Sequence, residues 1–229
     1  MKDNTVEVRG VVSGAPAFSH LTRGIRFFKF TLESVRLSGA VDELPVITPE
    51  TLSIPPAGRA VTVRGQLRSF NNQSGTGARL MISLLARDIR LACGAARGSL
   101  YAIAPGEADT AAPMQCDAEN PAEYDNRVAL TGSLCKEPVL RCTPFGRSIC
   151  DLLLCVPRSF GRADYLPCIA WGQTARQLSQ LKRGDLVCVE GRFQSRRYTK
   201  KYENGCEEVK TAFEVSIAAA NPIPMEHCV

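Results

Sequence analysis

The sequence repeats itself at an offset of 122 residues, and a chain built on a tandem repeat folds as two similar units. Asn4, Gly10 and Pro16 fall on Asn126, Gly132 and Pro138. The register continues without a gap through Gly24 on Gly146, Arg36 on Arg158, Gly39 on Gly161 and Leu44-Pro45 on Leu166-Pro167. The second copy then gains four residues, so that Gly58 and Gly65 fall on Gly184 and Gly191. With 229 residues, each unit has about 90 to 100, near the usual domain size.

Charge divides the chain in the same way. Residues 1–91 carry 12 basic and 7 acidic side chains, residues 92–125 carry 1 and 6, and residues 126–229 carry 15 and 10. The acidic middle stretch is rich in Ala, Gly and Pro and reads as a linker. The expected domains are therefore 1–91 and 126–219, joined by the linker 92–125 and followed by a short tail at 220–229. No apolar run approaches the 18 residues of a membrane helix, and MKDNTVEV lacks the apolar core of a signal peptide, which predicts a cytoplasmic protein.

The second copy reads as five strands: 128–130, 148–156, 166–171, 186–193 and 211–217 are apolar or β-branched runs between Gly, Pro and Asn signals. Between the third and fourth strands, Ala175, Leu178 and Leu181 recur at helical spacing and Gly184 supplies a stop. Five strands with a helix in that place is the OB-fold pattern, so the fold class is all-β, two tandem OB barrels. In the first copy, Pro49, Pro55 and Pro56 oppose a helix at the equivalent position, and a loop is expected there.

Ten cysteines contain no C-x-x-C pair, and His20 and His227 stand far from any close cysteine pair. No metal site and no cofactor are expected. Cys135, Cys150, Cys155, Cys168 and Cys188, set among Val, Leu and Ile, read as small buried hydrophobes kept reduced. A cysteine nucleophile lacks a nearby base and a metal nuclease lacks convergent carboxylates, so the chain reads as non-enzymatic, with no catalytic residues.

The stretch RFQSRRYTKKYENGCEEVK has Asn204-Gly205 as a hairpin signal and mixes cations with rings. Arg192, Arg196, Arg197, Lys200 and Lys201 surround Tyr198 and Tyr202. Cations follow a phosphate backbone while rings stack on bases, which is what a single-stranded nucleic-acid site needs; the plainer reading is a solvated hairpin that protects a sheet edge. Phe160, between Arg158 and Arg162 in a Gly-containing loop, is out of place in a core. Tyr165 and Trp171, at the two ends of the third strand, are individually more often core than contact, and the contact reading gains from the other rings flanked by cations in the same small domain.

Residues 126–219, through NRVALTGSL, LRCTPFG, RSF, CIAWG and KRGDLVCVEGRFQSRRY, resemble the bacterial single-stranded DNA-binding protein (SSB) family. The resemblance implies base stacking by Phe160, Tyr165, Trp171 and Tyr198. It implies phosphate contacts by Arg127, Lys182, Arg183, Arg192, Arg196 and Arg197, to which the flanking Arg158, Arg162, Lys200 and Lys201 are added. It further implies a homodimer of four barrels that coats single-stranded DNA with little sequence selectivity in replication, recombination and repair, at the bacterial nucleoid or on a mobile element. The alternatives are a replication-accessory or RNA-binding OB protein, and a structural subunit that binds no nucleic acid. At the register of the four aromatics the first copy has Ser38, Glu43, a deletion near Thr48 and Asn72, and it is read as a structural or assembly barrel. Replication and repair proteins are carried as possible partners, although the acidic tail by which the family recruits them has no counterpart in NPIPMEHCV.

Overall fold

The computed structural model describes residues 4–72, 79–92, 126–202 and 205–224; the expected linker 92–125, all but its first residue, and the last residues of the tail lie outside them. In the first half, β1 (Asn4–Thr22), β2 (Ile25–Val35), β3 (Val41–Pro49), β4 (Ala60–Asn72) and β5 (Arg79–Leu91) lie in the order β2-β3-β5-β4-β1. Pairing of β1 with β2 closes them into a barrel. The second half repeats the design with β6 (Asn126–Leu134), β8 (Ser148–Pro157), β9 (Ala163–Trp171), β10 (Leu186–Lys201) and β11 (Glu207–Ile223), closed by β6 against β8. Strands three and five of each barrel pair in parallel and the other pairs run antiparallel, as an OB barrel requires.

Three features differ from the sequence reading. An additional strand, β7 (Val139–Cys142), pairs with β8 through four exposed residues. In the first barrel β1 runs uninterrupted through the equivalent stretch. β11 reaches Ile223, paired with Leu186, so the sheet continues past residue 219.

Alternation explains the core. Val61, Val63 and Leu67 on β4 point inward against Leu32, Leu44, Val46 and Leu84, as do Val187, Val189 and Phe193 on β10 against Leu154, Leu166 and Val215. One end of the second barrel is covered by α1 (Gly172–Leu178), whose Ala175 and Leu178 are buried. In the first barrel the proline-containing loop supplies Leu52 and Ile54 to its core instead. Cys150 and Cys168 are core residues, whereas Cys135, Cys155 and Cys188 are half-buried at the barrel wall. Burial pushes the Cys135, Cys150 and Cys168 thiols up, which keeps them protonated.

The repeated glycines mark close approaches. A Cβ on Gly65 would lie 2.1 Å from the Leu85 carbonyl oxygen, and one on Gly191 would lie 2.0 Å from that of Ser216. Both sit at the β-bulge that bends strand four around its barrel. Gly191→Ala is expected to lower stability by about 1 to 3 kcal/mol, because the added methyl meets backbone that cannot swing aside. Urea denaturation checks this.

The two barrels share one sheet. β1 pairs antiparallel with β6 from Asn4↔Leu130 to Val8↔Asn126, centred on Val6↔Val128. In repeat register Asn4 matches Asn126 and Val8 matches Leu130, so the seam is self-complementary about a pseudo-twofold axis. Asn4 exchanges two hydrogen bonds with the Leu67 backbone, at 2.8 and 2.9 Å. Asn126 does the same with Phe193, at 2.6 and 2.9 Å.

Candidate nucleic-acid interface

The same axis generates a pair of ionic clasps between the barrels. Asp164, fully buried, accepts from Arg158 of its own loop, from Arg68 Nη1 at 2.8 Å and from the Ser69 backbone N–H at 2.6 Å. Arg158 Nη2 also donates to the Ser69 carbonyl at 3.0 Å. Asp42, equally buried, accepts from Arg36 Nη2 at 2.6 Å, Arg192 Nη2 at 3.1 Å and the Ser195 backbone N–H at 2.7 Å. The hydrogen bond to Asp42 holds the Arg36 guanidinium up, while burial pulls Arg192 below the ordinary arginine value. The Tyr165 N–H donates to Ser69 Oγ at 2.7 Å, and the Glu43 N–H, its repeat equivalent, donates to Ser195 Oγ at 3.1 Å.

Each clasp fixes the base of a projecting element. The Arg158–Asp164 clasp closes the β8–β9 loop, where the Arg158 N–H also bonds to the Arg162 carbonyl at 2.7 Å. At its tip Phe160 has φ 63° and ψ 38° and is 93% exposed. A bulky residue in the left-handed region costs about 1 to 3 kcal/mol, and here no burial of the ring offsets that cost. Strand alternation then carries Tyr165, Pro167, Ile169 and Trp171 along the outer face of β9. Tyr165 and Trp171 remain 47% and 40% exposed, so neither ring is core.

The Asp42 clasp holds the start of the β10–β11 finger. Beyond Ser195 the finger carries Arg196, stacked over Tyr198 with its guanidinium carbon 5.8 Å from the ring centre. Lys200 and Lys210 lie 4.8 and 5.4 Å from the Tyr202 ring centre. Tyr198 and Arg196 face Leu153, Pro167 and Lys136 across a groove of about 360 Å³, which Leu80 and Met81 of the first barrel also line. The groove brings Tyr198 and Arg196 to Pro167 and Cys168 of β9, whereas Phe160, Tyr165 and Trp171 do not line it.

The cations sort by accessibility. Arg197 pairs with Glu43 at 2.6 Å, Lys201 with Glu207 at 2.7 Å and Arg196 with Glu214 at 3.6 Å, all with largely exposed basic groups. Such surface pairs are worth little and exchange readily for a phosphate. Arg158 and Arg192 are bound to buried carboxylates and serve the clasps. Arg127 lies on the seam beside Glu190, and Lys182 and Arg183 sit in the turn after α1, where their N–H groups bond to Asp185 and Glu137. None of these three lines the groove. Two residues missed in the sequence belong to the surface: Lys210, which follows the hairpin and covers Tyr202, and Phe145, 95% exposed in the β7–β8 turn beside Arg147. The dipeptides Pro144-Phe145 and Val209-Lys210 carry no period that sets them apart. Among the described residues no cluster of His, Cys, Asp and Glu has the makings of a metal site.

Residues 125–222 match the model of the single-strand binding protein family. Single-stranded DNA-binding protein A of Bacillus subtilis is 40% identical over 80 residues, which are 32% of this chain and 46% of that one. Single-stranded DNA-binding protein 2 of Listeria innocua is 39% identical over 80 residues, 50% of its length. The chain thus spans about half the length of these curated relatives. The wild-type single-stranded DNA binding protein of Thermus aquaticus superposes with a TM-score of 0.69 over 99% of this chain and 95% of that one, at 19% identity, and supports the fold. The likeness to the single-strand binding protein family thus lies in the second barrel, and the match covers less than half of the chain.

Proposed function

We propose that the protein is a non-catalytic binder of single-stranded DNA, acting in replication, recombination and repair. Bases stack on Phe160, Tyr165, Trp171 and Tyr198, while Arg162, Arg196, Arg197, Lys200 and Lys201 meet phosphates. The observation that carries this reading is Phe160, a ring held out to solvent in a strained backbone by a clasp at its base. Exposed rings beside exchangeable cations bind bases and backbone together, with little regard to sequence. Trp171, the single tryptophan, makes the test simple. Oligo-dT is expected to quench its emission to saturation, more strongly than poly-rU or duplex DNA at equal salt. Unquenched emission at saturating oligo-dT would return the face to a merely structural role.

Alanine at Arg196, Arg197, Lys200 and Lys201 together is expected to weaken binding across all sequences. The salt dependence of the binding constant should flatten by about 0.7 for each phosphate that is no longer neutralised. Binding measured across a salt series decides this, and an unchanged slope would leave the finger as edge protection.

The assembly we propose is a homodimer of four barrels. The self-complementary seam that would otherwise join two one-barrel chains is formed here within one chain. Four barrels therefore need two chains. Sedimentation at micromolar concentration checks this, and a stable monomer removes it.

A further inference from the structure

The core does not account for every cysteine of the second barrel. Cys150 and Cys168 are buried among its aliphatic side chains, and Cys188 meets Thr131 Oγ1 at 3.3 Å. Cys135 and Cys155 instead stand half-buried on the outer wall, where β6 meets β8 and closes the barrel. Ser133 pairs with Cys155 and Leu134 with Leu154, and the Cys135 N–H extends that register by donating to the Leu153 carbonyl at 2.9 Å. Leu134 and Leu154 point into the core, so alternation turns Cys135 and Cys155 outward on the same face. They are diagonal neighbours, and Cys155 lies within hydrogen-bonding reach of the Cys135 thiol.

On its other side Cys155 pairs with Tyr165, so the two thiols and the ring form one row from the end of β6 across β8 to β9. The row belongs to the second barrel alone: the repeat equivalents of Cys135, Cys155 and Tyr165 are Ser13, Glu33 and Glu43. Burial holds the Cys135 thiol up, while Arg183 and Lys136 act in the opposite direction. The thiol is therefore protonated at rest, with cations at hand to favour the thiolate when it forms. In a regular ladder a diagonal pair sits about 7 to 8 Å apart, just beyond the reach of an S–S bond. Cys135, however, stands one residue past β6, where the chain bends. That bend lets it close on Cys155 while the two pairs of the β6–β8 ladder stay in place.

We infer that Cys135 and Cys155 are an oxidisable pair, which a low-molecular-weight disulfide such as oxidised glutathione converts to an internal disulfide, and that a strand stacked on Tyr165 shields them. One thiolate attacks a sulfur of the small disulfide and displaces one reduced thiol; the other then attacks the mixed disulfide and displaces the second. The protein gives up two protons and two electrons, and the oxidant leaves as two thiols. The pair stands on its own geometry, whereas the shielding rests on the proposed binding of single-stranded DNA.

The test treats the full chain with oxidised glutathione, blocks the remaining thiols with iodoacetamide and maps tryptic peptides by mass. Peptide 128–136, with Cys135, should be found joined to 148–158, which holds Cys150 and Cys155. Cys155→Ser should abolish the link and leave glutathione on Cys135, and Cys135→Ser should do the converse. Both variants should bind oligo-dT as the parent does. Chains in which the exposed Cys142 and Cys206 have reacted while the two peptides remain unlinked overturn the pair. A link that survives in Cys155→Ser overturns it as well, since Cys150 is then the partner. With about nine-tenths of the protein bound to oligo-dT, linking should slow about tenfold, because only the free remainder reacts. An unchanged rate with quenched Trp171 emission overturns the shielding and keeps the pair. An unchanged rate with unquenched emission overturns both the shielding and the proposed stacking face, and still keeps the pair.

Discussion

Asp164→Ala is expected to lower the free energy of unfolding by about 3 kcal/mol. Removing one member of a buried ionic cluster costs about 3 to 5 kcal/mol, because the partners lose their counter-charge without recovering full hydration. Arg158 and Arg68 keep 24% and 22% of their side-chain exposure, which places the expected value at the low end. The Ser69 N–H, which donates to Asp164 at 2.6 Å, also loses its acceptor. Asp42→Ala should cost a similar amount for the same geometric reason. The two changes should separate in function: loss of Asp164 frees the base of the Phe160 loop, and loss of Asp42 frees the start of the finger. Denaturant midpoints measure the first effect, and oligo-dT affinity under conditions where both variants are folded measures the second. If either change leaves stability within experimental error of the parent, the clasps are ornaments of a barrel contact held by the seam alone.

The second large effect is on binding. Trp171→Ala should weaken oligo-dT binding by about 1 to 3 kcal/mol, the worth of one stacked base. Tyr165→Ala should act in the same direction, and their combined loss should approach the sum, because the rings stand at opposite ends of β9 and serve different bases. Stability should fall by less than the roughly 3 to 5 kcal/mol of a core aromatic, since 40% of Trp171 is already in water. Glu43→Ala, at the Tyr165 position of the first barrel, should leave base stacking intact while releasing Arg197 to bind phosphate. Fluorescence titration and thermal melts on the same samples separate the two contributions. A large stability loss with unchanged affinity would identify Trp171 as packing rather than contact.

The repeat was legible because its markers each have one physical duty. Gly65 and Gly191 must admit a carbonyl at the bulge, and Asn4 and Asn126 must match a backbone N–H and C=O pair, so neither type drifts between copies. The clasps were half visible. Arg36 and Arg158 stood in register, but cations in a loop read as phosphate ligands until their buried partners Asp42 and Asp164, also in register, are seen in space. Sequence places residues along a strand and gives no account of which barrel they face. β7 escaped because VLRC is short and exposed on every residue, with no alternation to detect. The end of β11 escaped because Ala and Pro favour strands poorly, and pairing with β10 overrides that preference.

The seam has an evolutionary consequence. When a twofold contact joins separate identical chains, every substitution appears on both sides of the axis, and a change useful at one surface is imposed on its mirror. Covalent linkage of the halves lifts that restriction, and it keeps them at a high mutual effective concentration however dilute the protein becomes. Each half is then free to specialise while the joint between them stays symmetric. Glu43 shows the outcome: in one barrel its site holds a tyrosine turned to solvent, and in the other it holds a carboxylate that pairs with Arg197 on the neighbour's finger.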